Sequence, residues 1–328
     1  MKKARILVPL ILTLVILGGV LGGCRFREES PVPESRQEIP PLPKALEGEA
    51  GKEPVLQVYL SEEGTLQEMK FEDYIAGVVA AEMDPTWPTQ ALAAQAVIAR
   101  SFTLQKIDEQ GGVPQRNAHA STDIEEFQAY DAGRINDRVR QAVKMTRGEV
   151  AVYQGEFIRG WFHAYAGPRS ALADEGLEFE GGNPPYIKIV ESPATDIIPA
   201  EERDWSASFS LEEVREAVAE LAGRDPGPIR EVKISKKGPS GRATRLKFND
   251  VEVSAPSLRI ELDSQVFRST FIEKLEVKEG TLFLEGTGYG HGVGMCQWGA
   301  RALAEEGRSY DDIVRYFYKD ISLVRVWS

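Results

Sequence analysis

The run TQALAAQAVIARSFTLQ, residues 89–105, carries a single charge, Arg100, and neither proline nor glycine. Pro88 suits the first turn of a helix. A helix this nearly uncharged on every side is buried on most of them. Any fold of the chain must therefore pack around this segment. Arg100 is then a charge in a place expected to be dry.

The stretch just before it, FEDYIAGVVAAEMDP, sets Phe71, Tyr74, Ile75, Val78 and Val79 on one side of a helix at about 100° per residue. Glu82 follows Val78 by four positions and Val79 by three. It falls within the apolar stripe, where a solvated glutamate does not belong. Glu72 and Asp73 point away from that stripe, and Pro85 stops the helix.

The chain has 328 residues and a net charge of −12, which allows one large domain or two modest ones with a full core. No basic stripe offers phosphate neutralisation, so nucleic acid is excluded as a general partner. Two cysteines, Cys24 and Cys296, leave no disulfide framework. Lys2, Lys3 and Arg5 precede the uncharged run ILVPLILTLVILGGVLGG, residues 6–23, the layout of an export signal. It ends in LGGC, which resembles a bacterial lipobox with Cys24 as the residue to be acylated. The alternative is an uncleaved signal anchor, since this length just spans a bilayer. Small residues around the cysteine favour the lipoprotein, and either way the remainder is expected outside the cell membrane and anchored to it. Residues 24–53 interleave Pro31, Pro33, Pro40, Pro41 and Pro43 with charges and read as an extended, mobile tether.

The exported part reads as α+β. VLQVYL, residues 55–60, alternates like a strand, and AVYQGEFI forms a hairpin at Gln154-Gly155. A helix over 211–222 opens with a capping box, Ser210 and Glu213. Between 229 and 284 short alternating strands are punctuated at Gly238-Pro239-Ser240-Gly241 and Asn249-Asp250. The tail returns to helices, one near Gln297 and one capped by Ser309 with Asp312. We therefore read a mixed helix and strand core over 54–196 and 286–328, with a mainly β subdomain, 197–285, inserted in it.

In GTGYGHGVGMCQWGARALAEEG, Gly286, Gly288, Gly290, Gly292 and Gly294 alternate with other residues. The spacing is not a dinucleotide fingerprint, and the Lys-Ser/Thr ending of a P-loop is missing. Alternate glycines clear one face, so that backbone or a ligand can approach. A tight packing corner explains this as well as a site does. His291, Gln297 and Trp298 beside the cleared face suit sugar recognition.

Taken in order, YIAGVVAAEM, ALAAQAVIARSFTL, AVYQGEFI, PPYIKIVESP and GYGHGVGMCQWGARALAEEGRSYDDIVRYFY resemble the stage II sporulation protein D and amidase-enhancer family, from about residue 55 to 328. The resemblance implies a peptidoglycan lytic transglycosylase that acts on glycan strands stripped of stem peptides, with Glu82 as catalytic acid and base. It also implies substrate-binding roles for Arg100 and for Tyr186 and Lys188 of the PYIK motif. Burial of a carboxyl raises its pKa, which keeps the acid protonated for attack on a glycosidic bond. A transglycosylase needs one such group, whereas a hydrolase needs a second carboxylate about 5–9.5 Å away.

Some relatives carry a zinc cluster near HSTCGG. Here the matching stretch is HAYAGPRS, with Ala166 in the cysteine's place, and His119, His163, His291 and Cys296 lack the short spacings of a zinc site. No metal or other cofactor is expected, and His119 reads as a packing residue. Ala93 stands where many relatives have lysine, and Cys296 where serine is common, leaving a free thiol beside the expected cleft. The alternative function is a non-catalytic glycan-binding enhancer of a cell-wall amidase. An amidase and engulfment proteins are the expected partners.

Overall fold

A computed structural model describes residues 38–46 and 51–328. The readings of a signal sequence and of Cys24 acylation lie outside the described residues. A hairpin of β1 (Val55–Leu60) and β2 (Thr65–Lys70) runs directly into α1 (Phe71–Glu82) and the long α2 (Thr89–Gln110). β3 (Ala120–Ser121) joins β1 in parallel, and α3 (Asp137–Met145) packs on α1 and α2. Next come the hairpin β4 (Glu149–Tyr153) and β5 (Glu156–Phe157), β6 (Phe162–His163), and two single turns, α4 (Ala173–Gly176) and α5 (Ala200–Arg203). The β-rich stretch holds β7 (Asp204–Ser210), α6 (Leu211–Ala222), β8 (Val232–Lys237), β9 (Ala243–Phe248), β10 (Val251–Ser254), α7 (Ala255–Glu261), β11 (Ile272–Lys278) and β12 (Thr281–Thr287). The chain closes with β13 (Met295–Cys296), α8 (Gln297–Glu305), α9 (Tyr310–Phe317) and β14 (Ser322–Arg325). The fold is α+β, and its small sheets run β2-β1-β3, β14-β4-β5, β13-β6, β10-β9-β8 and β11-β12-β7.

The buried apolar residues form two clusters. One gathers around α2, where every residue from 91 to 101 is fully buried. The alanines of α2 let α1, α3, α8, α9 and β4 approach it closely. The other lies between α6, α7 and the sheets of β7–β12, with Phe248, Phe267 and Leu282 at its centre. The Ser210–Glu213 box caps α6, and Asn249, at φ 52°, turns β9 into β10.

Arg100 is fully buried and saturated. Its Nε donates to both Glu72 carboxylate oxygens at 3.1 Å, and Nη2 to Glu72 Oε2 at 2.7 Å and Val143 O at 3.0 Å. Nη1 donates to Thr146 Oγ1 at 3.2 Å and Glu149 O at 3.4 Å. Glu72 also accepts from Gly148 N at 2.9 Å and Trp327 Nε1 at 2.8 Å. Glu72 therefore does not point away from the core, as helical phase alone suggests. It is the counter-ion that a buried guanidinium requires.

Part of the expected tether is also corrected. Leu46 is buried in the main cluster with Leu42 against it, and Glu53 Oε1 accepts from Glu72 N at 2.9 Å while its Oε2 pairs with Arg147 at 2.5 Å. Two leucines and a carboxylate at the start of α1 lay residues 38–46 and 51–53 on the core despite the surrounding prolines.

Breaking the Arg100–Glu72 pair from one side strands a buried carboxylate. Arg100→Met is expected to cost about 3–5 kcal/mol in urea unfolding. Arg224→Met, which breaks the exposed pair with Asp250, is expected to cost at most about 1 kcal/mol. Equal losses would contradict this account.

Candidate active site

Glu82 is the last residue of α1, and its side chain keeps a partly exposed face. Its Oε1 accepts from Ala129 N at 2.9 Å. Burial, the largest influence, pushes the carboxyl from 4.5 up to about 7, opposed by the Ala129 N–H and by the Gln297 side chain. Gln297, first residue of α8, is 6% exposed, and its Nε2 has no conventional hydrogen-bond partner. It is therefore an amide donor held beside the carboxyl and available to it. Tyr74, two turns earlier on α1, is fully buried with its hydroxyl unpartnered; burial, then the charge of Glu82 among other influences, raise its pKa.

Beyond Glu82 the chain opens a groove of about 500 Å³ whose lining includes Asp84, Trp87, Arg138 and Arg301. Trp87 and Trp298 meet with ring centroids 4.8 Å apart at 57°. The Arg301 guanidinium covers both rings, at 5.3 and 5.0 Å from their centroids. Aromatic faces and a cation on one rim suit the apolar faces and hydroxyls of a sugar chain. Asp84 is exposed, and its Oδ1 accepts from the Thr86 N–H and hydroxyl, each at 2.8 Å, which lowers its pKa.

The site residues expected from sequence divide sharply. Glu82 and Gln297 come together. Arg100 does not join them: it sits at the first turn of α1, about 15 Å along the helix from Glu82, with all five donors engaged. Tyr186 is 8% exposed, accepts from Arg159 N at 2.9 Å and packs between Tyr153 and Tyr318. Lys188 donates to Arg315 O at 3.1 Å at the end of α9. Both therefore bind protein where substrate contacts were expected.

His291 is corrected too. Its Nδ1 accepts from Val293 N at 3.0 Å, and its ring meets His163 at 5.6 Å. Burial, followed by the charges of Arg259 and Arg242, pushes its pKa down to about 3. It belongs to the junction of the two cores, where it stays neutral. The glycine run is a packing corner: Gly288, Gly290, Gly292 and Gly294 all have positive φ, from 74° to 101°. A Cβ on Gly292 would strike the buried Arg242 guanidinium, and one on Gly294 the Trp161 carbonyl. The cleared face receives protein. What the corner delivers to the site is the start of α8, and hence Gln297.

Cys296 is fully buried, so its thiol does not face the cleft. It caps α8 by accepting from Gly299 N at 3.3 Å, the role a serine would fill, and burial raises its pKa to about 11. Ala93 is wholly buried on α2, and His119 Nδ1 accepts from Gln57 N at 3.0 Å. Sequence reasoning missed Tyr74, Trp87, Arg301 and the Ala129 N–H. Nothing in a sequence marks a backbone donor, whereas the two tryptophans could have been paired once both flanked the site.

Glu82 couples stability to pH. Between about pH 4.5 and 7 the folded protein retains a proton that the unfolded chain has released, so stability falls as pH rises through that window. Glu82→Gln removes the dependence. The variant is expected to match the wild type at pH 4 and to exceed it at pH 8 by on the order of 2 kcal/mol. Urea unfolding at both pH values checks this, and the same difference at both would refute it.

The family model described as stage II sporulation protein matches residues 59–153, and one described as a domain of unknown function matches residues 200–294. An uncharacterised protein of Brachyspira hyodysenteriae is 31% identical over 260 residues, covering 79% of this chain and 68% of that protein. Stage II sporulation protein D of Bacillus subtilis is 27% identical over 286 residues, 80% of this chain and 77% of its own length. The amidase enhancer of Bacillus subtilis is 27% identical over 297 residues, 76% of this chain and 40% of that protein. With Glu82 and both helices that frame it inside the first match, and the likeness extending over most of the chain, the chain belongs to the stage II sporulation protein D family.

Proposed function

We propose that this protein is a peptidoglycan lytic transglycosylase, tethered outside the cell membrane by its N-terminus, that cuts glycan strands during the wall remodelling of sporulation. One observation carries the reading: the Glu82 carboxyl, raised to about 7, ends α1 beside Gln297, and the chain that follows it lines a groove with Trp87, Arg138 and Arg301. In the protonated form Glu82 gives its proton to the glycosidic oxygen as the bond from C1 of N-acetylmuramic acid breaks. The freed N-acetylglucosamine departs with a 4-hydroxyl. The Glu82 carboxylate, held by the Ala129 N–H with the Gln297 amide beside it, then takes the proton of the muramic acid C6 hydroxyl. That oxygen closes on C1 as the 1,6-anhydro ring, and Glu82 is protonated again. No water enters the sequence.

Asp84 is the nearest acidic residue along the chain, and a hydrolase would use it as base. Its engagement with Thr86 favours the one-carboxyl route. The resemblance to an amidase enhancer supports a second reading, in which the groove only holds glycan for a separate amidase.

The test uses the full chain purified in mild detergent, acting on glycan strands with and without prior removal of stem peptides, with products read by mass spectrometry. We expect 1,6-anhydro ends, more from stripped strands, and a rate that falls as pH rises above about 7. Glu82→Gln is expected to lower the rate about 10²–10⁴-fold while glycan binding persists. Reducing ends would favour the hydrolase, and binding without cleavage the enhancer.

A further inference from the structure

Residues 127–131, FQAYD, cross α1 as a strap, and each member is fastened to a helix by its side chain or backbone. Phe127 is buried and packs edge-on against Phe102 and Tyr74, at 5.4 and 6.4 Å between centroids. Gln128, 2% exposed, donates from Nε2 to Thr103 Oγ1 on α2 at 2.9 Å. Tyr130 stacks on Tyr74 at 5.8 Å with ring planes 9° apart, and its hydroxyl reaches Met69 Sδ at 3.5 Å. Asp131 N donates to Gly77 O at 3.1 Å. The remaining member, Ala129, gives its N–H to Glu82.

We propose that this strap, fastened by Phe127, Gln128 and Asp131, is the positioning element of Glu82, and that the bare Cα of Gly77 is what leaves the Tyr130 ring room for the strap to seat. Gly77 lies mid-way along α1, where glycine costs helix stability. Its φ is not positive, so the backbone does not require it. What requires it is the ring: a Cβ on Gly77 would lie inside the Tyr130 side chain. Only with Gly77 bare does Tyr130 lie flat on α1. The Ala129 N–H, one residue before it, then meets the carboxyl five residues along the helix. The groups that face the carboxyl or flank it are Tyr74 on α1, Tyr130 and Asp131 on the strap, Gln297 on α8, and Asp84 with Arg134 and Arg301 beyond the helix end. Neither of these cations pairs with Glu82 among the described residues, so the strap's N–H is the principal device for steadying its ionised form.

The catalytic consequence rests on the transglycosylase reading, but the positioning does not. Glu82 is followed by carboxyl ¹³C titration of the glutamate-labelled full chain, its resonance assigned by its loss in Glu82→Gln. Gly77→Ala lifts the strap and weakens the Ala129 hydrogen bond, so Glu82 is expected to titrate about one pH unit higher than in the wild type. Tyr130→Phe keeps the ring and is expected to titrate as the wild type. Gly77→Ala combined with Tyr130→Ala removes the collision and returns the titration to the wild-type value. If Gly77→Ala alone does not fold, this double variant must fold and titrate normally. A folded Gly77→Ala with unchanged titration, or a double variant that stays displaced, overturns the proposal. Displaced titration in a protein that never cleaves glycan leaves the strap standing and the transglycosylase reading refuted. Cleavage with an unmoved titration does the reverse.

Discussion

The buried pair of Arg100 and Glu72 is the interaction on which the rest of the molecule hangs. It joins the first turn of α1, the middle of α2, the end of α3, the start of β4 and the indole of Trp327. A charge pair of this kind adds little net stability over a well-packed apolar substitute, because both ions lose their hydration. What it supplies here is geometry. The planar fork satisfies five acceptor directions at once, so the elements that provide them have one relative arrangement. α1 is thereby fixed at one end, and the placement of its other end follows.

That other end carries a glutamate with the opposite chemistry. Glu72 lies at the N-terminus of α1, where the helix dipole and a guanidinium both favour the anion. Glu82 closes the C-terminus of the same helix, where the dipole opposes the anion and, among the described residues, no cation pairs with it. Two identical side chains about three turns apart thus meet different surroundings, a guanidinium at one end and a backbone N–H with a nearby amide at the other. The two tryptophans and Arg301 belong to the loop after α1 and to α8, so the rim is framed by the same elements that enclose the acid.

Local rules were legible in the sequence and long-range pairings were not. The uncharged run of α2, the capping boxes at Ser210 and Ser309 and the turn at Asn249 depend on near neighbours, and each forms as its residues dictate. Glu82 was legible as an anomaly in an apolar stripe. Its nearness to Gln297 was legible only as two separate hints, since the two lie far apart along the chain. Arg100 stands out as a buried charge, but helical phase assigns its counter-ion Glu72 to solvent, because it takes no account of a partner arriving from α2. His291 misleads because a histidine among glycines looks free to bind, whereas its Nδ1 accepts from Val293 N. The glycines in fact admit Arg242 and the Trp161 carbonyl to that space. The helix α7 escapes notice because strand periodicity on both sides of it masks its seven residues.

Trp327 reaches Glu72 across 255 positions of chain. Local helices can form early, but the hub cannot close until a residue this distant has arrived, and closure over such a span is entropically slow. The central helix meanwhile carries a guanidinium whose acceptors are not yet assembled. If the chain is threaded through a membrane before it folds, as the proposed function requires, a keystone delivered last keeps it open for the passage.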